Sequence, residues 1–269
     1  MKKIILFFFL LSAAHAKAQN FEGIITWKIT AEMDAATKAK MDEAQKKMND
    51  PATQAQMKEM KEKMNDPQFK AMMEKNPQMK AQLEQMLKMS EGGEGNSFMP
   101  KSFVLKIKDQ NTLTKMEGGI MGNMEILYLK NKNTTYKLDR EAKTYSVVST
   151  SSMDTFKVSD VKITKTAETA KILNYNCTKY IAESSVAGKP VQQIFWTTTA
   201  IKDLDMKSLA HQRMGNGQQS FFYEKIEGVP LKIEVKQAQM GMIMEVVELK
   251  KQSLGASDFV IPGDFKETH

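Results

Sequence analysis

The chain has 269 residues, a formal net charge of +7 and one cysteine, Cys177. This length is enough for one large domain or for a domain that carries an insertion, and a single cysteine excludes an intrachain disulfide. The positive excess is modest and the lysines are interspersed with acidic residues, so the charge pattern does not indicate nucleic-acid binding. Peripheral contact with an anionic membrane surface stays open.

Residues 1–18 have the pattern of a secretory signal peptide. Two early lysines precede an apolar run (IILFFFLL, residues 4–11), and Ala-x-Ala sites end at Ala16 and Ala18. The run is too short to span a hydrocarbon core, which needs about 20 residues. We therefore expect cleavage after Ala16 or Ala18 and export to the periplasm or envelope of a Gram-negative bacterium, or out of the cell. Cleavage after Ala18 removes three lysines, at positions 2, 3 and 17, and lowers the net charge from +7 to +4.

The remaining chain contains many strand-like segments. Residues 20–32 alternate apolar and polar side chains, which predicts a first strand with Phe21, Ile25 and Trp27 on one face. From residue 102 onward, short runs separated by turn residues predict an antiparallel meander that curls or closes on itself. Residues 166–174 are ambiguous, and 201–212 predict a helix. The later predicted strands are 102–108, 112–117, 124–130, 134–139, 144–149, 158–166, 177–184, 191–197, 219–226, 231–239 and 243–252.

Residues 33–89 have a different texture, rich in lysine, glutamine, glutamate, alanine and methionine, which are good helix formers. Proline follows Asp50, Asp66 and Asn76. Aspartate and asparagine are favoured N-caps, and proline fits the first helical position. The pattern predicts four short amphipathic helices with methionine stripes, at 34–48, 51–64, 67–75 and 77–89.

Three interpretations of the methionine stripes stay open. The methionines pack the helices on each other or on the sheet, or they form a flexible groove for lipid tails or unfolded peptides. The third interpretation is soft-metal binding, because thioethers favour Cu(I), although the segment has no histidine or cysteine. Residues 48–89, chiefly Met64–Leu87, also resemble the helix-proline-helix client-binding repeats of Sti1-type co-chaperones.

The residues argue against catalysis. Behind the leader only His211 and His269 remain, and the chain has no G-x-S-x-G, H-E-x-x-H, C-x-x-C or phosphate-loop motif. Cys177 lies in a strand-like run without a nearby histidine and is predicted to be a small buried residue. We expect a non-enzymatic protein with no catalytic residue, no cofactor and no metal site.

Short motifs in a fixed order carry a family resemblance. They are residues 21–25 (FEGII), 136–139 (YKLD), 143–145 (KTY), 172–180 (ILNYNCTKY), 195–197 (FWT), 228–231 (GVPL) and 259–262 (FVIP). The chain resembles the secreted domain-of-unknown-function family numbered 4412, which is similar to the LolA and LolB lipoprotein carriers. The resemblance implies an α+β fold, a curved antiparallel sheet (LolA-like half-barrel) over residues 19–269. A methionine-rich helical insertion, residues 33–95, follows the first strand.

Such a half-barrel offers an apolar trough under a helical lid, which suits acyl chains. The resemblance therefore implies binding of lipid or lipoprotein acyl chains. The alternative is a periplasmic chaperone or interaction module whose methionine helices hold unfolded protein segments, and a third possibility is self-assembly through these helices. The oligomeric state stays open. The residues expected to contact an apolar ligand are Trp27, Met57, Met60, Met64, Phe69, Met72, Met73, Met79, Leu83, Met86 and Trp196.

Overall fold

The computed structural model describes residues 20–74, 76, 79, 83, 100–119, 124–148, 161–186, 189–204, 206, 225–236 and 240–268. Within this part of the chain, twelve strands form one curved, unclosed sheet. The leader expected at residues 1–18 lies outside the described residues.

The first strand is followed by three helices, and the remaining strands come after them. The helices are α1 (Ala35–Met48), α2 (Pro51–Lys63) and α3 (Pro67–Glu74), and a 3₁₀ turn covers Ala256–Phe259. The first six strands are β1 (Gly23–Met33), β2 (Ser102–Lys108), β3 (Asn111–Glu117), β4 (Met124–Leu129), β5 (Thr134–Asp139) and β6 (Thr144–Val147). The others are β7 (Lys162–Ile172), β8 (Tyr175–Val186), β9 (Lys189–Thr198), β10 (Val229–Lys236), β11 (Met240–Lys251) and β12 (Lys266–Glu267).

Strand β1 lies in the middle of the sheet, between β2 and β11. From β2 the chain runs strand by strand to β6, restarts at the opposite edge with β7, and returns through β8, β9 and β10 to β11. These neighbours are all antiparallel, as the sequence predicts, and the short β12 pairs in parallel with β6. The centre of the sheet therefore joins the first strand to the last long strand, β11.

The three helices begin and end within one residue of the predicted bounds. The Asp50 carboxylate accepts hydrogen bonds from the backbone N–H of Ala52 at 3.1 Å and Thr53 at 3.4 Å. Asp66 does the same for α3, accepting from Gln68 at 2.8 Å and Phe69 at 3.1 Å. These carboxylates satisfy backbone donors that the first helical turn leaves free. Of the predicted fourth helix, only Met79 and Leu83 are described.

The segment that the sequence leaves ambiguous, residues 166–174, completes β7 and a tight turn, in which Leu173 has a positive φ of 51°. Of the predicted helix 201–212, residues 201–204 are irregular and Met206 is helical. The other residues of this predicted helix lie outside the described residues. Most of the predicted strand 219–226 lies outside the described residues.

The sheet packs on both faces. One face carries the main core, which includes Trp27, Phe103 and Phe195. On the opposite face of β3, β4 and β5, a second core forms where the C-terminal segment crosses the sheet, with Lys106 paired to Asp258 at 2.8 Å. Its buried members are Leu113, Leu127, Leu129, Tyr136, Leu138, Leu254 and Phe259. None of the described helices combines the length and the apolar character that a membrane crossing requires.

Candidate ligand-binding site

The main core is a continuous apolar surface on one face of the sheet. Trp27 of β1 stacks on Phe103 of β2 with ring centroids 5.5 Å apart and an interplanar angle of 10°. On the other side of β1, Met244 of β11 lies opposite Ile233 of β10, which in turn lies opposite Phe195 of β9, and all three side chains are apolar and buried. Period-two alternation places these residues on one face, so the surface extends from β2 through β1, β11 and β10 to β9.

Segments outside the strands close part of this surface. Phe21, Ile201, Leu204 and Ile226 are buried in the main core although none of them lies in a strand. The backbone N–H of Phe21 donates to the carbonyl of Asp203 at 2.8 Å, which holds the start of β1 against this irregular segment. The apolar face of the sheet is therefore covered and not open to water at these positions.

Polar atoms without partners interrupt the apolar surface. Trp27 Nε1, Gln193 Oε1, Ser184 Oγ and Thr114 Oγ1 are buried, and no described residue hydrogen bonds to them. Gln193 lies opposite Ala182 and Ser184 lies opposite Val191, so Gln193 and Ser184 are diagonal neighbours on the face of the main core. A buried polar group without a hydrogen bond costs about 1–3 kcal/mol, so each of these atoms needs a physical explanation.

Sequence reasoning missed Gln193 and Ser184. The available signal was Gln193 itself, a polar side chain between the inward-facing Val191 and Phe195 of β9. A glutamine at such a position breaks the apolar alternation of a core strand, which is an error in a sealed core unless it has a function.

Cys177 belongs to the same core, and its thiol is buried and unreactive. Its side chain is buried, and Sγ lies 3.8 Å from the carbonyl of Tyr175, to which the thiol donates. Burial raises the pKa of the Cys177 thiol, because the thiolate would lose its hydration. The thiol therefore stays protonated, consistent with the predicted small buried residue.

Trp196, also predicted to contact ligand, has a charged environment. It touches the main core, but its Nε1 donates to Glu234 at 3.1 Å and Lys179 Nζ lies 5.7 Å from the ring centroid. Burial alone would raise the pKa of Glu234, but hydrogen bonds from Lys232 and Trp196 outweigh burial and hold it below its usual value. Trp196 thus has its polar and cationic partners within the protein, unlike Trp27.

The predicted methionine residues form a separate group. We define the methionine cluster as Met57, Met60, Met64, Phe69, Met73 and Leu83, which pack on one another. Met73 and Leu83 are buried, whereas Met72 and Met79 are 48% and 45% exposed. Met86 lies outside the described residues. The predicted ligand residues therefore fall into distinct places: Trp27 in the main core, Trp196 among charges, and the methionines in or beside their own cluster.

A second concave feature, also missed from the sequence, lies at one end of the sheet. A groove of about 600 Å³ is bounded by the β2–β3 and β4–β5 turns and by Phe259, Val260 and Ile261. The C-terminal segment forms one wall of this groove and packs in the same cluster as Leu129. No local sequence pattern predicts this contact. Among the described residues, no group of three or more histidine, cysteine, aspartate or glutamate side chains is placed to hold a metal ion.

The fold and the site define a class: a β-sheet protein with a buried, mostly apolar face and no recognisable catalytic group in the part that the structure describes. Residues 84–265 match the model of the family described as a domain of unknown function, DUF4412. The match covers more than half of the chain, and the protein belongs to this family. Strand β1 and the three helices lie before the matched region.

The chain has only distant similarity to two solved structures. No curated protein matches the sequence. Among solved structures, PNGF-II is similar with 15% identity and a TM-score of 0.36 over 62% of this chain, which spans 27% of the length of PNGF-II. LprF from Mycobacterium bovis is similar with 9% identity and a TM-score of 0.27, over 58% of this chain and 82% of LprF. Both TM-scores are below 0.5, so neither neighbour establishes a fold class or a function.

Proposed function

We propose that this protein is a non-enzymatic, exported binder of apolar ligands, namely lipid or lipoprotein acyl chains, which it holds against the main core face of a LolA-like half-barrel. Residues 1–18 would direct export, and the helices within residues 33–95 would form an insertion after the first strand. The family description assigns no function, so the proposal depends on the geometry of the site.

The observation that supports it most strongly is the set of orphaned polar atoms in an otherwise apolar surface. Ligand sites are mostly apolar with a few convergent polar groups that orient the ligand. An acyl chain would lie along the row of aromatic and aliphatic side chains. An amide N–H or a protonated carboxyl group of the ligand would donate to Gln193 Oε1, and a carbonyl oxygen would accept from Trp27 Nε1 or Ser184 Oγ. Such hydrogen bonds would remove the desolvation cost of these atoms in the bound state.

The direct test is native mass spectrometry of the protein purified from its own envelope, followed by solvent extraction. We expect a population heavier by the mass of an acyl-bearing ligand, and a fluorescent fatty acid should bind to the delipidated protein. A protein that purifies empty and fails to bind the fluorescent fatty acid would contradict the proposal.

A second candidate function is a chaperone that uses the helices, and the exposure of Met72 and Met79 favours it. Methionine is flexible and polarizable and adapts to varied partners, so exposed methionines on helices suit the binding of unfolded segments. If this candidate is correct, the protein suppresses aggregation of an unfolded client, and deletion of residues 35–90 abolishes the effect.

The two candidates predict different results for the same deletion. A carrier without residues 35–90 still binds fatty acid on its sheet, with faster exchange, and shows unchanged client aggregation. A chaperone loses its activity in the same variant, and Met72→Gln with Met79→Gln weakens it without affecting fatty acid binding.

A further inference from the structure

The methionine cluster brings together four methionine side chains from α2, its C-cap and α3. Met57, Met60 and Met64 are spaced at i, i+3 and i+7, so they lie along one face of α2, with Met64 as its C-cap residue. The cap at Asp66 and proline at position 67 start α3 directly after this point. Met73 of α3 then packs against the same face and is buried.

The packing differs from that of an ordinary apolar core. Cores with defined geometry use leucine, isoleucine and valine, since methionine is flexible and specifies packing poorly. Here methionine supplies four of the six members, and Phe69 and Leu83 complete the group. Met73 is buried while Met57, Met60 and Met64 are only partly buried, so this methionine-rich group is not sealed from solvent.

We propose that the methionine cluster is a binding site for a soft monovalent cation, Cu(I) or its chemical analogue Ag(I). Thioether sulfur is a neutral, polarizable donor that selects Cu(I) over Mg²⁺, Ca²⁺ and Mn²⁺, which need carboxylate, carbonyl or water oxygen. In the described part of the chain no cluster of three acidic, histidine or cysteine side chains competes for a divalent ion. Phe69 lies in the same cluster, and an aromatic ring face attracts cations.

Thioether coordination has a distinctive pH signature. Thiolate and imidazole ligands must lose a proton before they bind a metal, so their affinities fall as the pH is lowered. A thioether has no proton to lose, and binding at the methionine cluster should be the same at pH 5.5 and at pH 7.5, to within about twofold.

The experiment is an anaerobic competition for Cu(I) between a chromophoric chelator and the full chain in a Cys177→Ala background, which removes the one thiol. We expect about one Cu(I) per chain, and the triple variant Met57→Leu, Met60→Leu, Met64→Leu should lose affinity by about tenfold or more. Leucine keeps side-chain volume and helix propensity while it removes sulfur. The matched control, Met41→Leu with Met72→Leu, changes two exposed methionines and should bind as before.

A second readout does not depend on the triple variant being folded. With methyl-labelled methionine in the otherwise unchanged chain, Ag(I) should shift the resonances of Met57, Met60, Met64 and Met73 and leave Met242 and Met244 unchanged. Equal Cu(I) affinity in the triple variant and its control, or Ag(I) shifts confined to methionines outside the cluster, would show that the cluster is only hydrophobic packing.

Discussion

At the scale of single residues, we expect Gln193 to lower the stability of the ligand-free protein while it contributes to ligand binding. Its Oε1 is buried with no hydrogen-bond partner among the described residues. We predict that Gln193→Leu raises the free energy of unfolding of the ligand-free protein by about 1 kcal/mol, because an unsatisfied polar group disappears. The same change should weaken binding of the protonated fatty acid by about tenfold, since its O–H loses the Gln193 Oε1 acceptor.

Gln192→Leu is the matched control for this variant, because Gln192 is the next residue in β9 and points to the other face of the sheet. Urea denaturation and fluorescent fatty acid titration measure the two quantities. If Gln193→Leu destabilises the ligand-free protein, or if both variants bind alike, Gln193 does not face a ligand.

Glu22 makes the stability depend on pH. Its carboxylate accepts hydrogen bonds from Lys108 Nζ at 2.7 Å, from the backbone N–H of Leu254 at 2.6 Å and from the Ser253 hydroxyl at 3.3 Å. The hydrogen bond from Lys108, followed by that from Leu254, holds the pKa of Glu22 below its usual value of 4.5. A lowered pKa in the folded state stabilises the protein above pH 4.5, and this stabilisation is lost as the pH falls through the folded-state pKa.

The matched variant is Glu22→Gln, which keeps the shape and removes the charge. We predict that it is less stable than the parent protein by a constant margin at neutral pH, and that the margin shrinks as the pH falls below 4.5. Thermal unfolding followed by circular dichroism over a pH series measures the margin. A margin that is unchanged at low pH would mean that the carboxylate charge does not stabilise this junction.

At the scale of elements, local patterns predicted the helices and most strands, because caps and alternation act within a few residues. The polar, mostly exposed run Thr166–Ala170 of β7 was ambiguous, since an edge strand pairs on one side and has little need of an apolar face. Ile201 and Leu204 enter the core from an irregular segment that precedes the helical Met206, so tertiary contacts set the beginning of this segment.

The caps of the helices are individually testable. We predict that Asp66→Ala lowers the stability of α3 by about 1 kcal/mol, because the N–H groups of Gln68 and Phe69 lose their acceptor. Asp66→Asn should retain most of the stability, since asparagine also caps. Amide hydrogen exchange of α3 measures the effect, and equal protection in the alanine and asparagine variants would show that the cap is unimportant.

At the scale of the whole molecule, β1 joins the strands β2–β6 and the strands β7–β11 into one sheet. It pairs with β2 over Gly23–Lys28 and with β11 over Gly23–Met33, and it supplies Trp27 to the main core. We predict that a fragment of residues 84–269, which contains the family match, does not fold cooperatively. Its near-ultraviolet circular dichroism and protease resistance should be lost. Replacement of residues 35–99 by a short linker should preserve both, because this variant retains β1.

The separation of the predicted ligand residues also belongs to this scale. Helical periodicity predicts the stripe of Met57, Met60 and Met64 that packs in the cluster, whereas Met41, Met72 and Met79 of the predicted stripes are exposed. Alternation predicts the inward face of Trp27. Nothing in the sequence tells whether the stripes meet each other or the sheet, since that depends on how the helices turn back after Asp50 and Asp66. In the described residues the stripes meet each other, in a cluster that does not include Trp27.

The central claim is that an acyl chain lies on the main core face beside Trp27, and the chain has only two tryptophans with which to test it. The measurement is quenching of tryptophan fluorescence by a brominated stearic acid in two single-tryptophan proteins, Trp196→Phe and Trp27→Phe. We predict saturable quenching of Trp27 in the first protein and little quenching of Trp196 in the second, because bromine quenches only on near contact. Equal quenching of both tryptophans, or none of Trp27, would contradict a ligand site on this face of the sheet.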